Sequence, residues 1–199
     1  AIDNTDKIYV TDASQKLIAK YDASGNFLGT IIPGGSPISI AINKNNQIFI
    51  GDGDNGNILK LNPNGTTTVI YTGTVFPSSM MCVSDSIYIV DSKLKKVIVI
   101  DQSGNVVRTI GIGTLFYPTG IAYNHKTNRI LVSEHGGIED EFGSIIMKIR
   151  IFDLQGNLIS SFGNYGSING RFYRIQGLAV DRCGNIYVPD PFQGRVSVF

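Results

Sequence analysis

Apolar and polar residues alternate along this chain in short bursts, with turn residues between them. Five bursts close on an acid: IYVTD, IFIGD, IYIVD, ILVSE and IYVPD, ending at Asp12, Asp52, Asp91, Glu134 and Asp190. A side-chain period of two belongs to strands with one covered face, and no segment holds the 3.6-residue apolar period of a helix. The predicted elements are therefore short antiparallel strands.

The bursts are copies of one unit. The acids recur at spacings of 40, 39, 43 and 56 residues. Ten residues after each of the first three comes a turn, DASGN, NPNGT or DQSGN, starting at Asp22, Asn62 and Asp101. The fourth copy, DLQGN, starts at Asp153, nineteen residues after Glu134, so that unit carries a nine-residue insertion. A third marker precedes the burst: PISIAIN from Pro37, PSSMMCV from Pro77, PTGIAYN from Pro118 and IQGLAVD from Ile175. Each unit then holds four strands, a to d. In the third unit the pattern predicts a near Met80 to Val83, b over Ser86 to Val90, c over Lys96 to Ile100 and d over Val106 to Ile110. Four strands in about 40 residues predict an all-β fold, a β-propeller of four-stranded antiparallel blades, because radial packing covers sheet faces that one sheet leaves bare.

The last copy, GSINGRFYRIQGLAVDRCGNIYVPDPFQGRVSVF, resembles the NHL repeat: a Gly-rich loop, Gly-Leu-Ala-Val-Asp, Gly-Asn-Ile-Tyr-Val, an Asp and a closing Arg-Val-x-Val-Phe. The resemblance extends over essentially the whole chain. It implies a six-bladed propeller when complete, and it is specific for fold more than for function, since the family includes protein-binding, RNA-binding and enzymatic members. The lack of Trp argues against WD40 repeats. Counting strands places about four and a half blades in residues 1–199, read as a single NHL-type domain incomplete at both ends. Ala1 to Asp3 matches the end of a strand a, Val196 to Phe199 a strand c without its d, and six blades of this length need about 250 residues. Bare edges of that kind predict association through them.

Composition narrows the functions. Seventeen basic and sixteen acidic residues leave a net charge of +1, so no global field draws in nucleic acid or an anionic membrane. No run of 18 apolar residues predicts a membrane span. The opening AIDNTDKIYV is neither a Met start nor a signal peptide, and Ala1 reads as a trimmed or fragment end. Cys82 and Cys183 lie about two blades apart and read as free thiols. A 17% charged share with 23 Gly and many Asn, Ser and Thr fits an extracytoplasmic protein, whether secreted, periplasmic or cell-surface.

The repeated acids have two readings, a ring of metal ligands or acceptors for backbone N–H groups in the next turn. One acid per blade is what a repeated turn requires, whereas a hard cation needs several oxygens converging on one point. Asp52 to Asn57, DGDNGN, resembles a calcium loop only in part: Pro63 stands where an EF-hand has its Glu, and an Asn-Gly turn accounts for it. His125 falls in an a-to-b turn and His135 just after strand b, at opposite ends of one blade, so one zinc cannot take both. The peptide-amidating lyases, which resemble NHL propellers, use several histidines around a metal, and the two here cannot supply that set unless the missing blade does. Glu134 and His135 form a candidate acid and base pair. No catalytic residue, metal site or cofactor is assigned.

The departures from the repeat are three, and loop b-to-c and loop d-to-a leave a blade at the same end. SKLKK carries Lys93, Lys95 and Lys96. The insertion GGIEDEFGS, Gly136 to Ser144, carries Glu139, Asp140, Glu141 and Phe142. The loop GNYGSINGRFYR, Gly163 to Arg174, carries Tyr165, Arg171, Tyr173 and Arg174, with Phe172 as a packing residue. Solvated tips are the plain reading of each; a shared binding rim is the functional one. The function predicted is a scaffold that binds a protein or glycan partner through this rim. The alternatives are a metal-dependent lyase or hydrolase with a central-channel site and an RNA-binding NHL module, although RNA needs a wider basic field than three lysines.

Overall fold

The computed structural model describes residues 1–138, 143 and 145–199, without the side chain of Ile138. Eighteen strands and no helix occur among the described residues, and thus no helix long and apolar enough to cross a membrane. The first sheet holds β1 (Ile8–Asp12), β2 (Leu17–Tyr21) and β3 (Phe27–Ile31). The second holds β4 (Pro37–Ile42), β5 (Ile48–Asp52), β6 (Asn57–Leu61) and β7 (Thr67–Thr72). The third holds β8 (Pro77–Val83), β9 (Ser86–Asp91), β10 (Lys96–Asp101) and β11 (Val106–Ile110). In the fourth are β12 (Pro118–Asn124), β13 (Arg129–Ile138), β14 (Ile145–Phe152) and β15 (Leu158–Phe162); in the fifth, β16 (Ala179–Val180), β17 (Ile186–Asp190) and β18 (Arg195–Val198). Every sheet runs in chain order, as successive hairpins dictate.

The predicted fold class holds, with all four strands of the third unit in place. The blade count shifts from about four and a half to five sheets, because each end group pairs into a sheet of three strands. Ile2 adds a single bridge to Ile8 in the first. A second correction concerns the insertion: His135 and Gly136–Ile138 lie inside the ten-residue β13, not in a loop, because pairing continues to His135 with Met147 and Ile138 with Ile145.

The chain divides into two compact units, Ala1–Leu94 with Ile98–Arg108 and Lys95–Val97 with Thr109–Phe199. In the first, Tyr9 and Ile18 pack with Ile48, Ile50 and Leu59, while Phe49 and Ile58 pack with Met80, Ile87, Ile89, Ile98 and Ile100. The two faces of β5 thus serve two cores, which is why its residues are buried throughout. In the second unit, Leu131, Met147 and Ile149 pack with Phe172, Ile175 and Val188. Each fully buried Ile or Phe contributes about 1.5–3 kcal/mol. Hydroxyls of two strands a also reach beyond their own sheets, Ser39 Oγ donating to Pro77 O at the start of β8 (2.6 Å) and Thr119 Oγ1 to Ile175 O in the segment before β16 (3.3 Å).

The repeated D-x-x-G-N turn has a direct cause. Asp22 Oδ1 accepts the backbone N–H of Ser24 and Asn26, while Oδ2 accepts from the Asn26 side-chain amide. Asp101 with Asn105 repeats it in full, and Asp153 with Asn157 and Asp181 with Asn185 repeat both bonds to the Asn. In Asp22, Asp101 and Asp153 the Asn amide, foremost, holds the carboxyl below the usual carboxylate range.

Candidate functional site

The acids at the ends of strand b are tied inward. Asp52 accepts Ser36 N (2.9 Å), Asp54 N (3.1 Å) and Asn55 Nδ2 (2.8 Å). Asp91 accepts the N–H groups of Val75, Phe76, Lys93 and Leu94. Asp190 accepts Tyr173 N, Arg174 N and Gln193 Nε2. These three carboxylates are 0–2% exposed and lock the loop entering strand a onto the turn leaving strand b. Asp12 is less buried and, among the described residues, bonds Ser14 and Gln15 of its own turn alone. Asp52, Asp91 and Asp190 thus act as acceptors for the N–H groups of the adjoining turns and loops.

The fourth sheet solves the same problem differently. Its hairpin continues past Glu134, so no tight turn follows to supply donors. Glu134, fully buried, accepts Phe116 N (3.1 Å) through Oε2 and the Arg150 guanidinium Nε (2.6 Å) through Oε1. Beside it, His135 Nδ1 lies 2.8 Å from Ile175 O, and its ring stands 5.1 Å from that of Tyr117. A carbonyl only accepts, so Nδ1 carries a hydrogen and donates it. His125 lies in the β12–β13 turn, at the other end of β13.

The Gly163–Arg174 loop has no regular structure, yet it is held at many points. Phe172 N donates to Asn164 O (2.8 Å), Gly166 N to Phe172 O (3.1 Å) and Arg171 N to Ile168 O (3.0 Å). Phe172 is wholly buried, and at Gly163 a Cβ would stand 2.6 Å from its ring, so a larger residue there would displace it. From the far side, Gln193 Nε2 donates to Gly166 O and Arg171 O, and Arg195 Nη2 to Ile168 O and Arg171 O.

This frame places the sequence-predicted residues as follows. Tyr165 and Tyr173 meet edge to face at 5.0 Å, and the Arg174 guanidinium lies 5.8 Å from the centre of the Phe192 ring. Tyr165 and Arg171 line a cleft of about 520 Å³ with Asn164 and with Gly143 and Ile145 at the base of the insertion. Glu139, Asp140, Glu141 and Phe142 lie outside the described residues. Lys93 and Lys95 are exposed in the β9–β10 turn, and Lys96, half-buried, opens β10. Asn164, Ile145, Gln193 and Arg195 were not singled out from the sequence. The signal for the last two is a Gln and an Arg just past the acid of the fifth copy, but their partners are more than 20 residues away.

No family profile matches the sequence, and neither does any curated protein. Solved structures do match. A catalytically inactive virginiamycin B lyase from Staphylococcus aureus with quinupristin superposes at a TM-score of 0.74 with 15% identity, over 100% of this chain and 64% of that one. The selenomethionine-substituted lyase gives 0.70 and 12%, over 100% and 68%. Kuenenia stuttgartiensis hydrazine synthase gives 0.69 and 11%, over 99% and 74%. The chain spans about two thirds of the length of the lyase chains. Together with the five antiparallel sheets, these likenesses show the β-propeller fold; at such identities they show the fold alone.

Proposed function

We propose that this chain is an NHL-type binding module, working outside the cytoplasm, that presents the Gly163–Arg174 loop and the adjoining β13–β14 hairpin to a protein or glycan partner. One observation carries the reading: an irregular, exposed segment rich in Tyr and Arg is fixed in place by hydrogen bonds at both ends and in its middle. Fixing a loop in advance removes ordering entropy from association, and Tyr and Arg are the side chains that most often dominate binding energy.

Removing residues 137–142 and changing Tyr165 and Tyr173 to Ala should leave the melting transition unchanged and abolish capture of a partner from the native source. If substitutions in the opposite turn, Asn124 to Arg129, abolish capture instead, the binding face is the other end of the sheet. A second reading, a hydrolytic or lyase site, is favoured by His135 next to the buried Glu134, its ring oriented by the Nδ1 bond to Ile175 O, and by the fold shared with the lyase. It requires stoichiometric metal in the purified full-length protein, or turnover that His135→Ala abolishes.

A further inference from the structure

We infer that the exposed face of the Gly163–Arg174 loop, with the cleft lined by Tyr165, Arg171 and Ile145, takes an acidic peptide segment of a partner protein, with carboxylates on Arg171 and Arg174 and aliphatic side chains on Ile145 and Ile168. This rests on the reading of the loop as the binding surface. From Leu154 to Val180 the only charged residues are these two arginines. Among the described residues neither guanidinium has an ion-pair partner, and the buried carboxylate of Asp190 is taken up by backbone and amide donors. Both arginines are exposed and positioned. The Arg171 side chain runs along Gly166, whose φ of +142° and the 2.9 Å that a Cβ would leave to Arg171 Cδ make glycine necessary there. Arg174 is held over Phe192. Planar guanidinium groups fixed in this way favour bidentate carboxylate recognition.

The surrounding apolar surface separates a peptide from a glycan. Ile145, 42% exposed, lines the cleft with Tyr165, which meets Tyr173, and Ile168 of the same loop is 63% exposed. A sugar offers C–H faces suited to aromatic rings and nothing to match aliphatic side chains, whereas a peptide with Leu, Val or Ile among its acids covers both kinds of surface. Aromatic and Arg side chains with apolar neighbours are also the composition of protein interfaces. A cleft of about 520 Å³ holds one or two such side chains.

The test is selection of phage-displayed random peptides on the full chain, followed by fluorescence anisotropy with a labelled synthetic copy of the winner. Enriched peptides should carry at least two Asp or Glu together with an aliphatic residue. Affinity should fall about tenfold or more in Arg171→Gln/Arg174→Gln, and comparably when the peptide's acids become amides. Enrichment of peptides without acids, failure to enrich any, undiminished affinity in the double Arg variant, or tighter binding of polygalacturonate or an RNA oligomer would each overturn the inference. Loss of binding in Tyr165→Ala/Tyr173→Ala with none in the Arg variant overturns the acidic peptide while keeping the loop; insensitivity to both variants removes the loop as well.

Discussion

The second and fourth sheets are the same four-stranded unit with opposite treatments of its buried acid. In the second, Asp52 sits at the mouth of a tight turn and finds its donors within three residues and in the loop before β4. Gly35 permits this approach, because a Cβ there would stand 2.5 Å from the carboxylate. In the fourth, β13 and β14 run on past the acid, so turn donors are lost. A longer acid, Glu134, keeps the bond to the preceding loop through Phe116 N, and Arg150 from strand c replaces the turn. The comparison teaches that the long hairpin is an addition compensated inside the blade. The frame tolerates it, and the loops at that end are free to diverge from the repeat.

The largest expected effect breaks the compensation. Arg150→Met alone leaves a buried carboxylate without its ion partner and should cost about 3–5 kcal/mol, while Glu134→Leu/Arg150→Met should recover most of it. Urea unfolding of the two variants decides the matter, and a single variant within about 1 kcal/mol of wild type would mean that Arg150 is not what replaces the turn. Next comes the regular solution. Asp91→Ala strands four backbone N–H groups and should cost about 2–3 kcal/mol or more, whereas Asp12→Ala, with donors from its own turn alone, should cost under about 1 kcal/mol. Equal losses would erase the distinction between an inter-loop lock and a local turn.

The smallest effect is in pH. The carboxyls of Asp22, Asp101 and Asp153 are held below their ordinary value, first by the side-chain amide of the paired Asn. A depressed folded value means stability that is complete above the unfolded value near 4 and lost as pH falls through the folded one. Asn26→Ala should therefore reduce the loss of stability between neutral pH and the acid limb. An acid limb unchanged by Asn26→Ala would show that this turn does not contribute to it.

Much of the frame was legible because its signals are local. A period of two with turn residues at fixed offsets located β8 to β11, and D-x-x-G-N turns announce their own hydrogen bonds. The extension of β13 was not legible, because Gly136 and Gly137 read as a loop and only pairing with Met147 and Ile145 makes them strand. In the fifth copy Ile175 starts the marker, yet β16 is only Ala179–Val180, since Ile175 is drawn into the core with Phe172. For the candidate site, departure from the repeat pointed to Tyr165, Arg171, Tyr173 and Arg174. The bonds from Gln193 and Arg195 that make the loop rigid are long-range and carry no sequence spacing of their own.

The central claim is that this irregular loop is a pre-built binding surface, and amide hydrogen exchange tests it most directly, in the free chain and with the selected peptide bound. The hydrogen-bonded amides of Gly166, Arg171, Phe172, Tyr173 and Arg174 should exchange as slowly as those of neighbouring strands before any partner is added, and binding should slow residues 164–174 further while leaving the Asn124–Arg129 turn unchanged. Exchange of those amides at unstructured rates in the free chain, or a footprint confined to Asn124–Arg129, would contradict the account.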